Sequence, residues 1–100
     1  MKNDELDAWM DRLVGYVRSG WPDLTNRQLA LVLLVYETDG PHTVRGIAEH
    51  LRITKPVISR ALDSLGAYGF LQREPDCSDR RGIFIRPTAR GREFLRALTG

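Results

Sequence analysis

The residues best suited to contact a charged polymer lie in two short segments, at positions 54–60 and 73–82. The first segment contains Thr54, Lys55, Pro56, Ser59 and Arg60. The first turn of a helix offers unpaired backbone N–H groups and a partial positive charge, both of which attract phosphate. Lys55 and Arg60 add full charges, and a helix fits the major groove of DNA. These five residues are therefore predicted to contact a nucleic acid, although Thr54 is also needed as a helix cap.

The second segment, residues 73–82, reads REPDCSDRRG and places two arginines side by side, Arg80 and Arg81. Paired arginines on a narrow projection suit the electronegative minor groove. Asp79 would face phosphate unfavourably unless it were paired, so we expect it to form a salt bridge with one of these arginines or with Arg73. The remaining arginine would be free for DNA, and which arginine has which role stays open. A solvent-exposed salt bridge alone is the alternative.

Further basic residues follow this segment, namely Arg86, Arg90 and Arg92. They lie near the start of a predicted last helix, where backbone amides and side-chain charges together can meet a phosphate. We expect them to make supporting contacts, Arg86 foremost.

The spacing of apolar residues predicts five helices around these segments. The helices are expected to begin directly after Asn3, Thr25, Thr43, Thr54 and Thr88, each of which can cap a helix. Thr25 and Gln28 form a capping-box pattern, and the first helix should end near Gly20. The third and fourth helices are separated by only about two residues, which is typical of a helix-turn-helix. Arg52 lies in that turn at a position where a left-handed residue, often glycine, is easiest, and adopting that conformation would cost it about 1 kcal/mol of strain.

A hairpin is predicted between the fourth and fifth helices. Gly69 is placed to end the fourth helix in a left-handed conformation, and residues 70–74 and 83–86 have the composition of short β-strands. The residues between the strands form a long charged tip. The predicted fold is therefore mainly α with a small β-hairpin, which is a winged helix-turn-helix of about five helices and a two-stranded wing.

Length and composition indicate one soluble domain over residues 1–100. Apolar residues are 42% and charged residues 28%, and the net charge is +2. The charge is unevenly divided, since residues 1–50 contain five basic and eight acidic residues whereas residues 51–100 contain ten and five. A localised excess of basic residues is the pattern expected when one surface faces phosphates.

Several other functions are disfavoured by the residues present. Cys77 alone cannot form an internal disulfide or a zinc site, and we expect a plain exposed thiol rather than a redox sensor. His42 and His50 have no supporting ligands, so no metal and no cofactor are predicted. No catalytic group can be assembled, so the chain is not expected to be an enzyme. The longest apolar run, residues 29–36, is too short to cross a membrane, and a cytoplasmic location is expected.

The chain resembles the MarR family of transcriptional regulators over roughly residues 25–95. The resemblance lies in residues 47–71 (IAEHLRITKPVISRALDSLGAYGFL) and in the DRRG tip followed by IFIRPTARG. It implies a winged helix, a partner of double-stranded DNA, a symmetric homodimer and regulation of transcription. The sequence names no operator and no small-molecule effector.

Dimerisation is expected through residues 1–20 and 88–100. The apolar residues assigned to it are Leu6, Trp9, Leu13, Tyr16, Phe94 and Leu98. Members of the family usually have long interlocking terminal helices, whereas this sequence ends soon after Leu98, so the dimer is expected to be small or differently built. The aromatic residues near this stripe are expected to pack in the core or in the dimer contact rather than to line an effector pocket.

Two other functions stay open. The winged helix could be a protein–protein interaction module, such as an adaptor or an antagonist of another regulator, in which case DNA affinity would be weak. It could also be a non-specific architectural DNA binder with equal affinity for any duplex.

Overall fold

Capping residues determine where most of the helices begin. The computed structural model describes residues 3–75 and 82–99, and its elements in chain order are α1 (Asp4–Arg18), α2 (Asn26–Glu37), α3 (Val44–Leu51), α4 (Lys55–Tyr68), β1 (Leu71–Pro75), β2 (Ile83–Pro87) and α5 (Ala89–Thr99). The predicted side-chain caps are present at Asn3, Thr25, Thr43 and Thr88. Thr25 and Gln28 form the complete capping box. These contacts satisfy backbone donors that a helix leaves free at its start.

The predicted side-chain cap of α4 is wrong. Thr54 occupies the N-cap position with extended backbone, but its hydroxyl makes no capping hydrogen bond. A cap usually accepts from the second or third backbone N–H of the helix, and Pro56 removes the donor at the second position. The start of α4 therefore depends on the fixed backbone of Pro56 rather than on the Thr54 hydroxyl.

The left-handed conformation predicted for Gly69 is confirmed, and Arg52 adopts the left-handed conformation that its turn favours. Arg52, between α3 and α4, has φ 57° and ψ 44°. Gly69 ends α4 with φ 80°, and the N–H of Phe70 donates to the carbonyl of Leu65 at 2.9 Å. This reversal carries Phe70 back over the helix and directs β1 along its side.

The core lies where α2, α4 and the hairpin meet, with α1 and α5 packed against each other beside it. Phe70 and Phe94 are fully buried and stack with ring centroids 4.4 Å apart. Tyr16 and Trp21 pack their rings against Phe94, at 5.5 and 5.7 Å. The Tyr16 hydroxyl donates to the carbonyl of Pro22 and accepts from the N–H of Leu24. Burial raises the pKa of Tyr16 above 10.0.

This packing corrects two residues of the expected dimerisation stripe. Tyr16 and Phe94 lie inside the protomer's own core, because the short connection from α1 to α2 returns the chain over the Tyr16 side of α1. Helical spacing identifies an apolar face but not the neighbour that covers it. Leu6, Trp9 and Leu13 remain exposed on α1, and Leu98 of α5 is half-buried.

The hairpin pairs β1 with β2 in antiparallel register, with Leu71 opposite Pro87 and Arg73 opposite Ile85. The strands lie within one residue of the predicted ranges. An additional pairing joins the hairpin to the chain between α2 and α3, because the N–H of Ile85 donates to the carbonyl of His42 at 2.8 Å. This third pairing had no signal in the sequence.

None of the helices in the described part of the chain combines the length and apolar character required to cross a bilayer. The same residues contain no group of three or more His, Cys, Asp or Glu side chains that could hold a metal ion.

Candidate nucleic-acid interface

The outward face of α4 contains the residues that the sequence singled out. Ile58, Leu62 and Leu65 are buried and attach the helix to the core. The opposite face leaves Thr54, Lys55, Pro56 and Arg60 exposed and Ser59 half-buried. Because Lys55 is in the first turn, its ammonium group lies at the positive end of the helix dipole. The helix therefore presents a polar surface that is basic at its beginning.

Arg73 of β1 joins the hairpin to this face of α4. Its Nη1 atom lies 2.8 Å from Oδ1 of Asp63, and its Nη2 atom donates to the carbonyl of Ser59 at 3.0 Å. The two acceptors are four residues apart, so the guanidinium contacts successive turns of the helix. Arg73 was predicted either to contact DNA or to pair with Asp79. Among the described residues its acidic partner is Asp63, whereas a pairing with Asp79 lies outside them. The contact with Asp63 places the hairpin beside the exposed face of α4.

Arg86 of β2 also has an acidic partner within the hairpin. Its Nε atom lies 2.8 Å from Oε2 of Glu74, and its guanidinium lies 5.7 Å from the ring centroid of Phe84. Both charged side chains are about half exposed. The sequence predicted Arg86 as a DNA contact, and a phosphate would have to compete with Glu74 for it.

The predicted tip of the hairpin lies outside the described residues. This applies to Cys77, to Asp79 with its expected salt bridge, and to Arg80 and Arg81. The described residues end at Pro75 and resume at Gly82, so the tip connects two strands whose pairing is known.

Two further basic residues lie close to the start of α4 and were missed by the sequence reasoning. Arg45 and Arg52 line an open hollow of about 690 Å³ together with Thr54 and Lys55. Arg45 forms an exposed ion pair with Glu49 at 3.3 Å. The signal in the sequence was their position along the chain, because Arg52 lies in the turn that precedes α4 and Arg45 lies at the start of the helix before it. The basic surface at the helix-turn-helix is therefore wider than α4 alone.

Arg90, expected to support DNA contacts, is engaged within the protein. Its Nε atom donates to the carbonyl of Tyr68 at 2.9 Å, and its guanidinium lies 5.1 Å from the ring centroid of Trp21. These contacts attach the beginning of α5 to the end of α4. Arg92, two residues further along α5, is exposed.

A separate apolar surface is formed by α1. Leu6, Trp9 and Leu13 are 64%, 59% and 47% exposed, respectively. Trp9 and Leu13 also line a cleft of about 140 Å³ with residues of α2 and α5, namely Leu29, Leu33 and Leu98. Contiguous exposed apolar surface usually marks an interaction site. This surface is a candidate contact between protomers.

Comparisons with known proteins agree with this architecture. The chain is 32% identical over 68 residues to YkoM, an HTH-type transcriptional regulator of Bacillus subtilis. The matched segment covers 68% of this chain and 44% of YkoM. The crystal structure of MarR superposes with a TM-score of 0.68 at 30% identity, covering 76% of this chain and 55% of MarR. S. aureus MepR in its complex with DNA superposes with a TM-score of 0.74 at 25% identity, covering 96% of this chain and 73% of MepR.

The chain thus spans less than half of the length of YkoM and little more than half of MarR. The model of the MarR family matches residues 24–83, which include α2, the helix-turn-helix and the hairpin as far as the start of β2. The resemblance inferred from the sequence is confirmed, and the chain belongs to the MarR family.

Proposed function

We propose that this chain binds double-stranded DNA with sequence specificity and regulates transcription as a homodimer. The observation that supports this most directly is the contact of Arg73 with Ser59 and Asp63. It brings the hairpin beside the outward face of α4, so that one duplex can meet both. In this proposal the protein acts by occupying DNA in the cytoplasm and catalyses no reaction.

The first step of the proposed binding is insertion of α4 into the major groove. Lys55 and the free amides of the first turn would neutralise phosphate, and Ser59 and Arg60 would reach base edges. Pro56 would contribute shape rather than charge. Arg45 and Arg52 extend the positive surface along the flanking backbone. The sequence pI of about 9.0 is consistent with a polyanionic partner.

The second step is contact of the hairpin with the adjacent minor groove. Arg80 and Arg81 at the tip are the proposed minor-groove residues, with Asp79 holding one of them in place. Arg86 is a secondary candidate, since Glu74 already balances its charge. The DNA complex of MepR, a relative of similar fold, supports duplex DNA as the partner.

The third step is pairing of two protomers through the exposed face of α1 with Leu98. Burial of Leu6, Trp9 and Leu13 against a second copy would remove a large apolar surface from water. Two copies of α4 would then enter successive major grooves on one side of the duplex. The operator would be roughly palindromic, with half-sites about 10 bp apart.

Selection from a random pool of duplexes tests this function. Purified protein should enrich a palindromic sequence, and that duplex should outcompete random DNA by roughly a thousandfold. Arg60→Ala should lower this preference, whereas Arg18→Ala in α1 should leave it unchanged. Equal affinity for every duplex would indicate an architectural binder. Absence of binding at low salt would indicate a protein-interaction module instead.

A further inference from the structure

We propose that Arg73 is a positioning residue that fixes the angle between α4 and the hairpin, and that it does not contact DNA itself. This inference rests on the proposed DNA-binding function. Arg73, Asp63 and the carbonyl of Ser59 are called the wing clamp below. The sequence alone suggested a DNA contact for Arg73. A DNA contact and a positioning role predict different effects of substitutions on DNA binding.

The geometry of the wing clamp argues for positioning. Both terminal nitrogens of Arg73 are committed to α4, one to the Asp63 carboxylate at 2.8 Å and one to the Ser59 carbonyl at 3.0 Å. A guanidinium is planar and rigid, so two attachments one helical turn apart restrict both sliding and tilting of β1 along α4. A lysine ammonium has the same charge but lacks the fork that reaches both acceptors.

The wing clamp also contains a carboxylate, that of Asp63, beside the guanidinium of Arg73, whereas a simple phosphate contact needs only the cation. Asp63 is 67% exposed on the side of α4 that is proposed to face DNA. An unpaired carboxylate there would repel phosphates, and Arg73 cancels that charge. Removal of the Asp63 charge should therefore strengthen DNA binding if only net charge matters. It should weaken DNA binding if the carboxylate is needed to hold the hairpin in place.

The wing clamp contributes little to global stability, because both side chains are substantially exposed and such pairs are weak in water. Variants of Arg73 and Asp63 should therefore fold normally. An effect on binding would then report the orientation of the hairpin, since it would appear without a matching loss of melting temperature.

The test uses two duplexes of about 24 bp, one selected by this protein from a random pool and one of random sequence. The variants are Arg73→Ala, Arg73→Lys, Asp63→Asn and the exchanged pair Arg73→Asp with Asp63→Arg. Glu37→Gln, which removes an exposed acidic charge from the end of α2, is the matched control. Affinity is measured over a salt series, and backbone hydrogen exchange is measured for β1 and β2 without DNA.

We expect Arg73→Ala, Arg73→Lys and Asp63→Asn each to weaken binding to the selected duplex by roughly two- to fivefold, the range of an exposed ion pair. The slope of log affinity against log salt should stay within about 0.3 of wild type, because no phosphate contact is lost. The exchanged pair should recover only part of the affinity, because it restores the ion pair but not the hydrogen bond to the Ser59 carbonyl. Hydrogen exchange in β1 should accelerate in the single variants and slow again in part in the exchanged pair.

The opposite pattern would overturn the inference. If Arg73 contacts phosphate, Arg73→Ala should flatten the salt slope by about 0.9, Arg73→Lys should retain most binding, and Asp63→Asn should bind more tightly. If wild-type protein binds neither duplex, the proposed function fails. Hydrogen exchange still decides the wing clamp in that case, because unchanged exchange in Arg73→Ala would refute it without reference to DNA.

Discussion

The hydroxyl of Tyr36 in α2 occupies the space that a Cβ atom on Gly91 of α5 would need. This hydroxyl donates to the carbonyl of Phe70 at 2.7 Å and accepts from the N–H of Thr88 at 2.9 Å. The Thr88 hydroxyl in turn donates to the carbonyl of Gly69 at 2.6 Å. One half-buried tyrosine thus joins α2, the chain entering β1 and the first turn of α5.

Gly91→Ala should destabilise the protein by about 2–4 kcal/mol, because the added methyl group overlaps the Tyr36 hydroxyl and lies 2.5 Å from the Phe70 carbonyl. Urea denaturation measures this loss. Gly15→Ala is the control, since α1 has open space at that position and alanine favours a helix by roughly 0.5–1 kcal/mol. A Gly91→Ala protein as stable as wild type would contradict the packing described here.

Tyr16→Phe should destabilise the protein by about 1–3 kcal/mol near neutral pH, because the carbonyl of Pro22 and the N–H of Leu24 would lose their partner. The same residue should affect stability in alkali. Burial raises the pKa of Tyr16 in the folded state, so above pH 10 the unfolded chain loses this proton first. Its contribution is constant below pH 10 and declines as pH rises through the folded-state value.

The alkaline effect is measured by comparing urea midpoints of wild type and Tyr16→Phe from pH 8 upward. The difference between the two proteins should shrink above about pH 10. A constant difference up to pH 12 would show that Tyr16 ionises equally in the folded and unfolded states.

Arg80→Ala or Arg81→Ala should weaken DNA binding by about 1–2 kcal/mol if that arginine enters the minor groove. The salt slope should become shallower by about 0.9 for each ionic contact removed. Fluorescence anisotropy over a salt series gives both quantities. Arg18→Ala removes an equal charge from the end of α1 and should preserve the slope. Unchanged isotherms for both tip variants would exclude the tip from the interface.

Leu13→Glu should shift the proposed dimer toward monomer, with an increase in dissociation constant of roughly thirtyfold or more. The reason is that a carboxylate would have to be buried in an apolar contact. Sedimentation equilibrium measures the change in mass. Ile83→Glu is the control, since this exposed residue lies in β2 rather than in the α1 surface. A monomeric wild type at micromolar concentration would itself contradict the homodimer.

Local signals predicted the elements well because they depend on neighbouring residues. The cap at Thr25, the glycine reversal at Gly69 and the left-handed Arg52 each follow from interactions within a few positions. The apolar period also predicted the buried face of α4. Only the hydroxyl of Thr54 failed among the caps, because Pro56 removed one of its donors.

Contacts between distant elements were harder to predict. Arg73 and Asp63 are ten residues apart on either side of a chain reversal, so their pairing depends on the direction in which Gly69 sends β1. The burial of Tyr16 and Phe94 depends on how α1 and α5 pack together, which the period of each helix does not specify. The candidate surface was predictable, whereas the internal partners of its arginines were not.

The backbone hydrogen bond between Ile85 and His42 has a consequence for aggregation. A two-stranded ribbon presents unpaired N–H and C=O groups along its sides, and foreign strands can add to such edges. The Ile85 donor is already occupied by the His42 carbonyl. An incoming strand would have to displace that bond to continue the ladder along β2, which disfavours fibril-like growth from this side of the ribbon.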